Sequence, residues 1–291
     1  MKKIIILFLC SSFLFCFGQA RKTSNSKELI YNVSIGAVLG TLGALMNKKE
    51  DDSFKKIFLK GFCQGALGGY VTFESKKLVD FAQKKNDWKF FWAAKIVNAA
   101  GTSIKENASS NNNFWEKWHI NFGFNRIEFD TKDKFSVHYK ILPVNLIYTI
   151  GVASQTKFEL GKTLKTGEFI FSSNTDRFIE TNSSGVTFPG TIVLYEPYKN
   201  DFNLVAHEII HIYQTNDFSQ FDAFLAKPIN YLNSKSKTLN NINKYIYYDA
   251  RHLPQLLFYM QENKNTFYYY DNRFEREAGY FSKTFDENAT K

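Results

Sequence analysis

The chain is poor in cysteine and histidine, with 3 and 5 in 291 residues. Cys10 and Cys16 sit in the first 16 positions, inside a stretch that reads as a removable leader. Its removal leaves Cys63 alone, which excludes an internal disulfide. The remaining length is ample for a core that needs no cross-links. No internal repeat is evident, so a solenoid or propeller is not expected. The 37 basic and 28 acidic residues leave +9, or +7 without Lys2 and Lys3. No basic stripe has nucleic-acid motif spacing, so no nucleic-acid partner is expected. That charge suits an anionic envelope surface better.

The amino terminus sets the expected compartment. Met1-Lys2-Lys3 precedes an apolar run from Ile4 to Phe17. A short basic start, an apolar stretch of this length and small residues after it describe a signal peptide over residues 1–19, cleaved after Gly18 or Ala20. Phe15 stands where a lipobox before Cys16 needs a small residue, which argues against lipidation. An exported protein without disulfides fits a bacterial periplasm or cell envelope.

Three textures follow. Residues 20–113 read as helical and glycine-rich. The runs Ile30 to Met46 and Ile57 to Phe73 carry Gly36/Gly40 and Gly61/Gly65, a spacing that lets two helices approach closely. Lys60, Gln64, Asn32 and Ser34 interrupt runs already at the short limit for a span, favouring a packed hairpin. Membrane-surface association through residues 30–73 is the alternative. An amphipathic helix is expected near Asp87 to Ala100, and a linker at Ala108 to Asn113. Residues 114–196 read as strands. Ile120, Phe122 and Phe124 alternate with polar or glycine positions, as do Phe135, Val137, Tyr139 and Ile141. His119 and His138 fall on the polar side and are expected to face solvent. Leu146 to Val152, Glu168 to Phe171 and Thr191 to Tyr195 are further candidate strands. The rest is mostly helical, with a polar connector near Asn233 to Asn243 and helices around Leu253 to Gln261 and from Asn272. The expected fold is α+β: a helical amino-terminal segment, an antiparallel β portion and a helical metal-binding portion, with residues 114–291 forming one domain.

Two of the five histidines fall in His207-Glu208-Ile209-Ile210-His211. Four residues apart on a helix, both imidazoles share one face and can hold one Zn²⁺, with Glu208 beside them to work on a water. Phe202, Val205, Ile209 and Ile212 have helical spacing, and Asp201 or Asn203 can cap the start. The alternative is a core helix with hydrogen-bonded histidines, which would leave Glu208 buried at a cost. A catalytic zinc site needs a third protein ligand and a position open to water. Asn272 to Phe281 contains Glu275 and Glu277. Asp249, His252 and Asp271 are further choices, and Asn272 with Glu275 also fits a helix-capping pattern.

Here the chain resembles the gluzincin metallopeptidases, in which a downstream helix supplies a glutamate ligand. The second motif is most like that of the membrane-associated lineage that includes the CAAX prenyl proteases, Glu-x-x-Ala-Asp. Glu275 and Ala278 match it, and Gly279 stands where the family has Asp. The resemblance covers roughly residues 204–214 and 272–281. It implies zinc held by His207, His211 and Glu275, with Glu208 as general base and a peptide or protein substrate. In many such enzymes the substrate adds as a strand to a sheet edge beside the metal helix, for which Thr191 to Tyr195 is the candidate. A Tyr or His completes the oxyanion site; Tyr213, His252, Tyr268, Tyr269, Tyr270 and Tyr280 are available. The expected function is an exported zinc metallopeptidase. The alternative is a non-catalytic envelope protein that keeps the helix for binding or structure.

Overall fold

The computed structural model describes residues 23–181, 183–264 and 267–286. The expected leader, with Cys10 and Cys16, lies outside the described residues. Helix α1 (Asn25–Met46) and helix α2 (Phe54–Lys85) form an antiparallel hairpin. Its seam is backbone on backbone. A Cβ on Gly36 would lie 2.2 Å from the Gly65 carbonyl oxygen, and one on Gly65 would lie 2.1 Å from that of Gly36. Only glycine permits this approach. Asn86, in the left-handed region at φ 49°, ends α2 and turns the chain into α3 (Lys89–Ser109), which packs along α2. The expected helices are present, and the linker at residues 108–113 closes the last of them.

Strands β1 (Lys117–Phe122), β2 (Asn125–Asp130) and β3 (Ser136–Ile141) form an antiparallel meander. Its buried face reverses one expectation. His119 is only 6% exposed and sits on Ser103 of α3, whereas Phe135, Val137 and Tyr139 face outward. The cause is an ion cluster that makes a polar face buriable. Glu106 of α3 accepts from Arg126 of β2 and from Arg251, each at 2.7 Å. Glu128 accepts from Arg126 as well. His138 is exposed, as its position on the strand suggested.

Leu146 to Val152 is not a strand. It belongs to helix α4 (Pro143–Ala153), with Pro143 in the first turn, where its missing N–H costs nothing. The second sheet contains β4 (Lys157–Phe158), β5 (Phe169–Ser173), β6 (Gly185–Phe188) and β7 (Thr191–Tyr195), in the order β4-β5-β7-β6. Short helices α5 (Leu160–Thr166) and α6 (Arg177–Glu180) lie between its strands. β5 and β7 are parallel, so this portion is mixed rather than purely antiparallel. β7 is interior, so Thr191 to Tyr195 is not the edge. That place belongs to β6, whose hairpin partner is β7.

Helix α7 (Phe202–Asp217) carries the histidine pair. Asp201 caps it, accepting from the backbone N–H of Asn203 and Leu204. The polar connector near 233–243 holds the end of α8 (Ala226–Lys235) and all of α9 (Lys237–Ile242). Helices α10 (His252–Lys264) and α11 (Arg273–Ser282) follow. One buried cluster joins the amino-terminal helices to the second sheet and to α7 and α11. Phe73 and Val79 of α2, Phe91 of α3, Ile192 and Leu194 of β7, Val205 and Ile209 of α7 and Phe281 of α11 belong to a single buried cluster. The amino-terminal helices therefore share a core with α7 across the boundary near residue 113.

Candidate metal centre

Two helices distant in sequence make the site. α7 turns His207 and His211 to one side because four residues are close to one helical turn. α11 crosses there, with Asn272 as its cap, accepting from the Phe274 N–H at 2.9 Å. The Glu275 side chain is therefore free of the cap and points at the imidazoles. Glu275 Oε2 lies 3.1 Å from His207 Nε2 and 3.3 Å from His211 Nε2, and the two Nε2 atoms are 3.0 Å apart. Two ligand atoms each ~2.0 Å from a tetrahedral ion stand roughly 3.3 Å apart. The triangle has that size. Among the described residues, these three form a group able to hold a metal ion.

The hydrogen bonds around the triangle fix which atoms face it. His211 Nδ1 lies 2.8 Å from Gln214 Oε1, an acceptor, so Nδ1 carries a hydrogen and Nε2 is the nitrogen turned to the triangle. The Gln214 amide is itself oriented, because its nitrogen donates to the Phe274 carbonyl and to Glu277. His207 Nδ1 meets the Thr284 hydroxyl at 3.1 Å. Tyr259 donates to Glu275 Oε1 at 2.8 Å, and Tyr269 bonds the same carboxylate while its ring stacks near His207.

Charge makes the site attractive to a cation. Burial alone raises a carboxylate pKa, yet His211 and then His207 hold Glu275 well below the usual range. Burial alone lowers an imidazole pKa, but the Glu275 charge and hydrogen bond outweigh it and push His211 up to about 9. Burial, then the Glu275 charge, raises the Tyr259 and Tyr269 phenols, so both stay protonated donors at neutral pH.

Glu208 points to the neighbouring sheet rather than into the triangle. It is buried, and Thr187 of β6 donates to its Oε2 at 2.7 Å. A Cβ on Gly185 would come within 2.7 Å of its Oε1. The edge strand thus touches the residue between the ligands.

The remaining candidates lie elsewhere. Glu277 is buried on the far side of Gln214, bonded to Lys76 and Asn32. His252 Nε2 lies 2.9 Å from both Asp249 and Asn145, beside a small polar cavity behind α7. Asp271 accepts from the backbone of Tyr268 within a turn. Of the proposed oxyanion donors, Tyr269 reaches the site. Tyr213 is buried in the core, and Tyr270 donates to the Thr284 carbonyl. Tyr259 escaped the sequence reading, since α10 carries no motif that marks it. Gly279 also has a reason in space: a Cβ there would lie 2.5 Å from the Tyr270 ring, so an Asp cannot enter without displacing it.

Comparison with family models, with curated proteins and with solved structures gives no match. The functional reading therefore rests on the geometry of the site.

Proposed function

We propose that the chain is a zinc-dependent metallopeptidase of gluzincin type, with His207, His211 and Glu275 as ligands and Glu208 as general base. The observation that carries the reading is the triangle of two imidazole nitrogens and a carboxylate oxygen, about 3 Å on a side, with Glu208 beside His207 in the sequence. Three donors of this type at this spacing fit zinc, and a closed structural site has no use for the intervening glutamate.

Zinc, when bound, supplies acidity to a water and polarisation of the scissile carbonyl. Glu208 takes the proton from the attacking water and delivers it to the leaving amine. The hydroxyl of Thr187 holds that carboxylate in place. Tyr259 and Tyr269 orient Glu275, and Tyr269 is the donor best placed to serve a developing oxyanion. β6 is a terminal strand of its sheet, so an extended peptide can pair with it next to Glu208.

The amino-terminal sequence supports export to a periplasm or envelope. The outward stripe Phe58, Leu59, Phe62, Leu67 and Tyr70 on α2 supports association with a membrane surface. One zinc per purified chain, lost on Glu275→Ala with the fold intact, is the result that the proposal requires. A chain that takes up no zinc after reconstitution overturns it.

A further inference from the structure

The chain has no Asp at 279 to support a histidine from behind, and its geometry assigns that task to another set of residues. We propose that Glu277, anchored by Lys76 and Asn32, positions Gln214 and through it the ligand His211. This inference rests on the metal-site reading.

The argument follows the direction of each hydrogen bond. Lys76 is fully buried, and its ammonium can only donate. It donates to Asn32 Oδ1 at 2.9 Å and to Glu277 Oε1 at 2.8 Å. With its oxygen taken, Asn32 must present its NH₂, which donates to Glu277 Oε1 at 2.9 Å and to the Glu28 carbonyl at 2.9 Å. Glu277 Oε2 accepts from Gln214 Nε2 at 2.9 Å. The Gln214 nitrogen also donates to the Phe274 carbonyl at 2.7 Å, so only its oxygen remains for His211 Nδ1 at 2.8 Å. The last bond leaves His211 Nε2 as the nitrogen that faces Glu275. No amide in this chain can turn over without setting donor against donor.

The amino-terminal helices therefore act on the site. Asn32 lies on α1, Lys76 on α2, Glu277 on α11, and Gln214 one turn beyond His211 on α7. Supports of this kind behind a ligand histidine typically change metal affinity by about 10- to 100-fold.

The relay has a polarity that substitution can reverse. In Glu277→Gln, the new amide oxygen stays with Lys76 and Asn32, and its NH₂ faces Gln214. Gln214 then either meets NH₂ with NH₂ or turns, which gives up its bond to the Phe274 carbonyl, offers NH₂ to His211 Nδ1 and demands the wrong tautomer. Gln214→Glu alone sets two carboxylates against each other. Together, Glu277→Gln and Gln214→Glu restore donor to acceptor between positions 277 and 214, and His211 regains an acceptor behind it, while the Phe274 carbonyl loses its donor.

Zinc dissociation constants of the four full-length proteins, measured by competition with a chromophoric chelator, test the relay. Cobalt(II) absorption spectra report the ligand geometry, and circular dichroism checks the fold. Each single variant should bind zinc at least tenfold more weakly with an altered cobalt spectrum, and the double variant should bind more tightly than either single variant, short of the wild type by the lost Phe274 bond. A wild type that binds zinc while Glu277→Gln binds it equally well overturns the relay and leaves the metal site standing. Additive losses in the double variant overturn it too, since they report packing damage. A wild type that binds no zinc overturns both readings. If Glu277→Gln does not fold, Gln214→Met replaces it: unchanged affinity there overturns the relay.

Discussion

Thr187 donates its hydroxyl hydrogen to Glu208 Oε2 at 2.7 Å, joining the edge strand to the helix that bears both histidines. Glu208→Gln should retain one zinc per chain and lose at least about 100-fold in peptide hydrolysis, the scale of a positioned general base. Thr187→Val should retain zinc as well and lose about tenfold, since one hydrogen bond to a charged group contributes about 1.5–3 kcal/mol. Zinc analysis and turnover of a fluorogenic casein check both. Full activity in Glu208→Gln would sink the assignment.

Metal binding should appear as stability. A ligand held only by the folded chain adds about 2.7 kcal/mol at a hundred times its Kd. The melting temperature of the wild type should rise with added zinc and fall back with chelator. His207→Ala, His211→Ala and Glu275→Ala should show no rise, because each removes one corner of the triangle. Calorimetric scans with and without zinc decide this. An equal rise in the variants would place the ion elsewhere.

Glycine at the helix seam should tolerate no methyl group. Gly36→Ala and Gly65→Ala each push a Cβ into backbone, which cannot retreat as a side chain can. A loss of about 1–3 kcal/mol or more is expected in urea unfolding. Gly151→Ala is the control, because nothing lies within 4 Å of its Cβ. On helix α4 it should gain up to about 1 kcal/mol.

His119 should give the chain an acid limb. Burial first, then Arg126, lowers its pKa from 6.5 to about 3 in the folded protein. The unfolded chain takes up this proton and the folded chain does not. The contribution is therefore fully present above pH 6.5 and is lost as pH falls from 6.5 towards 3, by about 1.4 kcal/mol per pH unit for one proton. His119→Gln should flatten that slope relative to the wild type. Urea unfolding at a series of pH values measures it, and identical slopes in the two proteins would refute the assignment.

The apolar stripe on α2 should carry the chain to membranes. Flotation with anionic vesicles should recover wild type, and Phe58→Ser with Phe62→Ser should lower recovery several-fold without changing the melting temperature. Recovery unchanged by the double substitution would assign the stripe no such role.

Much of the site could be read before any coordinates. The histidine pair, its helix, the Asp201 cap and the Asn272 start of α11 all rest on local spacing and capping chemistry, and all are present. The difficulty began where tertiary pairing decides. His119 looked solvent-facing because alternation marks two faces without saying which is buried. The partners that make the polar face buriable lie on other elements, Glu106 on α3 and Arg251 far away in sequence. Leu146 to Val152 looked like a strand because a short apolar run has no decisive period, and Pro143 tipped it into a helix. β7 was mistaken for the edge because chain order does not give strand order. Tyr259, Gln214 and Lys76 carried no motif, so nothing local linked them to the site.

Lys76 is the buried cation between Asp217, at the end of α7, and Glu277 on α11. That gives the protein a timetable. Ribosomes make the lysine early, the histidines much later and Glu275 later still. Until the last helix docks, the ligand triangle lacks a corner and Gln214 has no carboxylate to hold it. Residues 114–291 expressed alone would carry two buried acids, Asp217 and Glu277, without Lys76 between them.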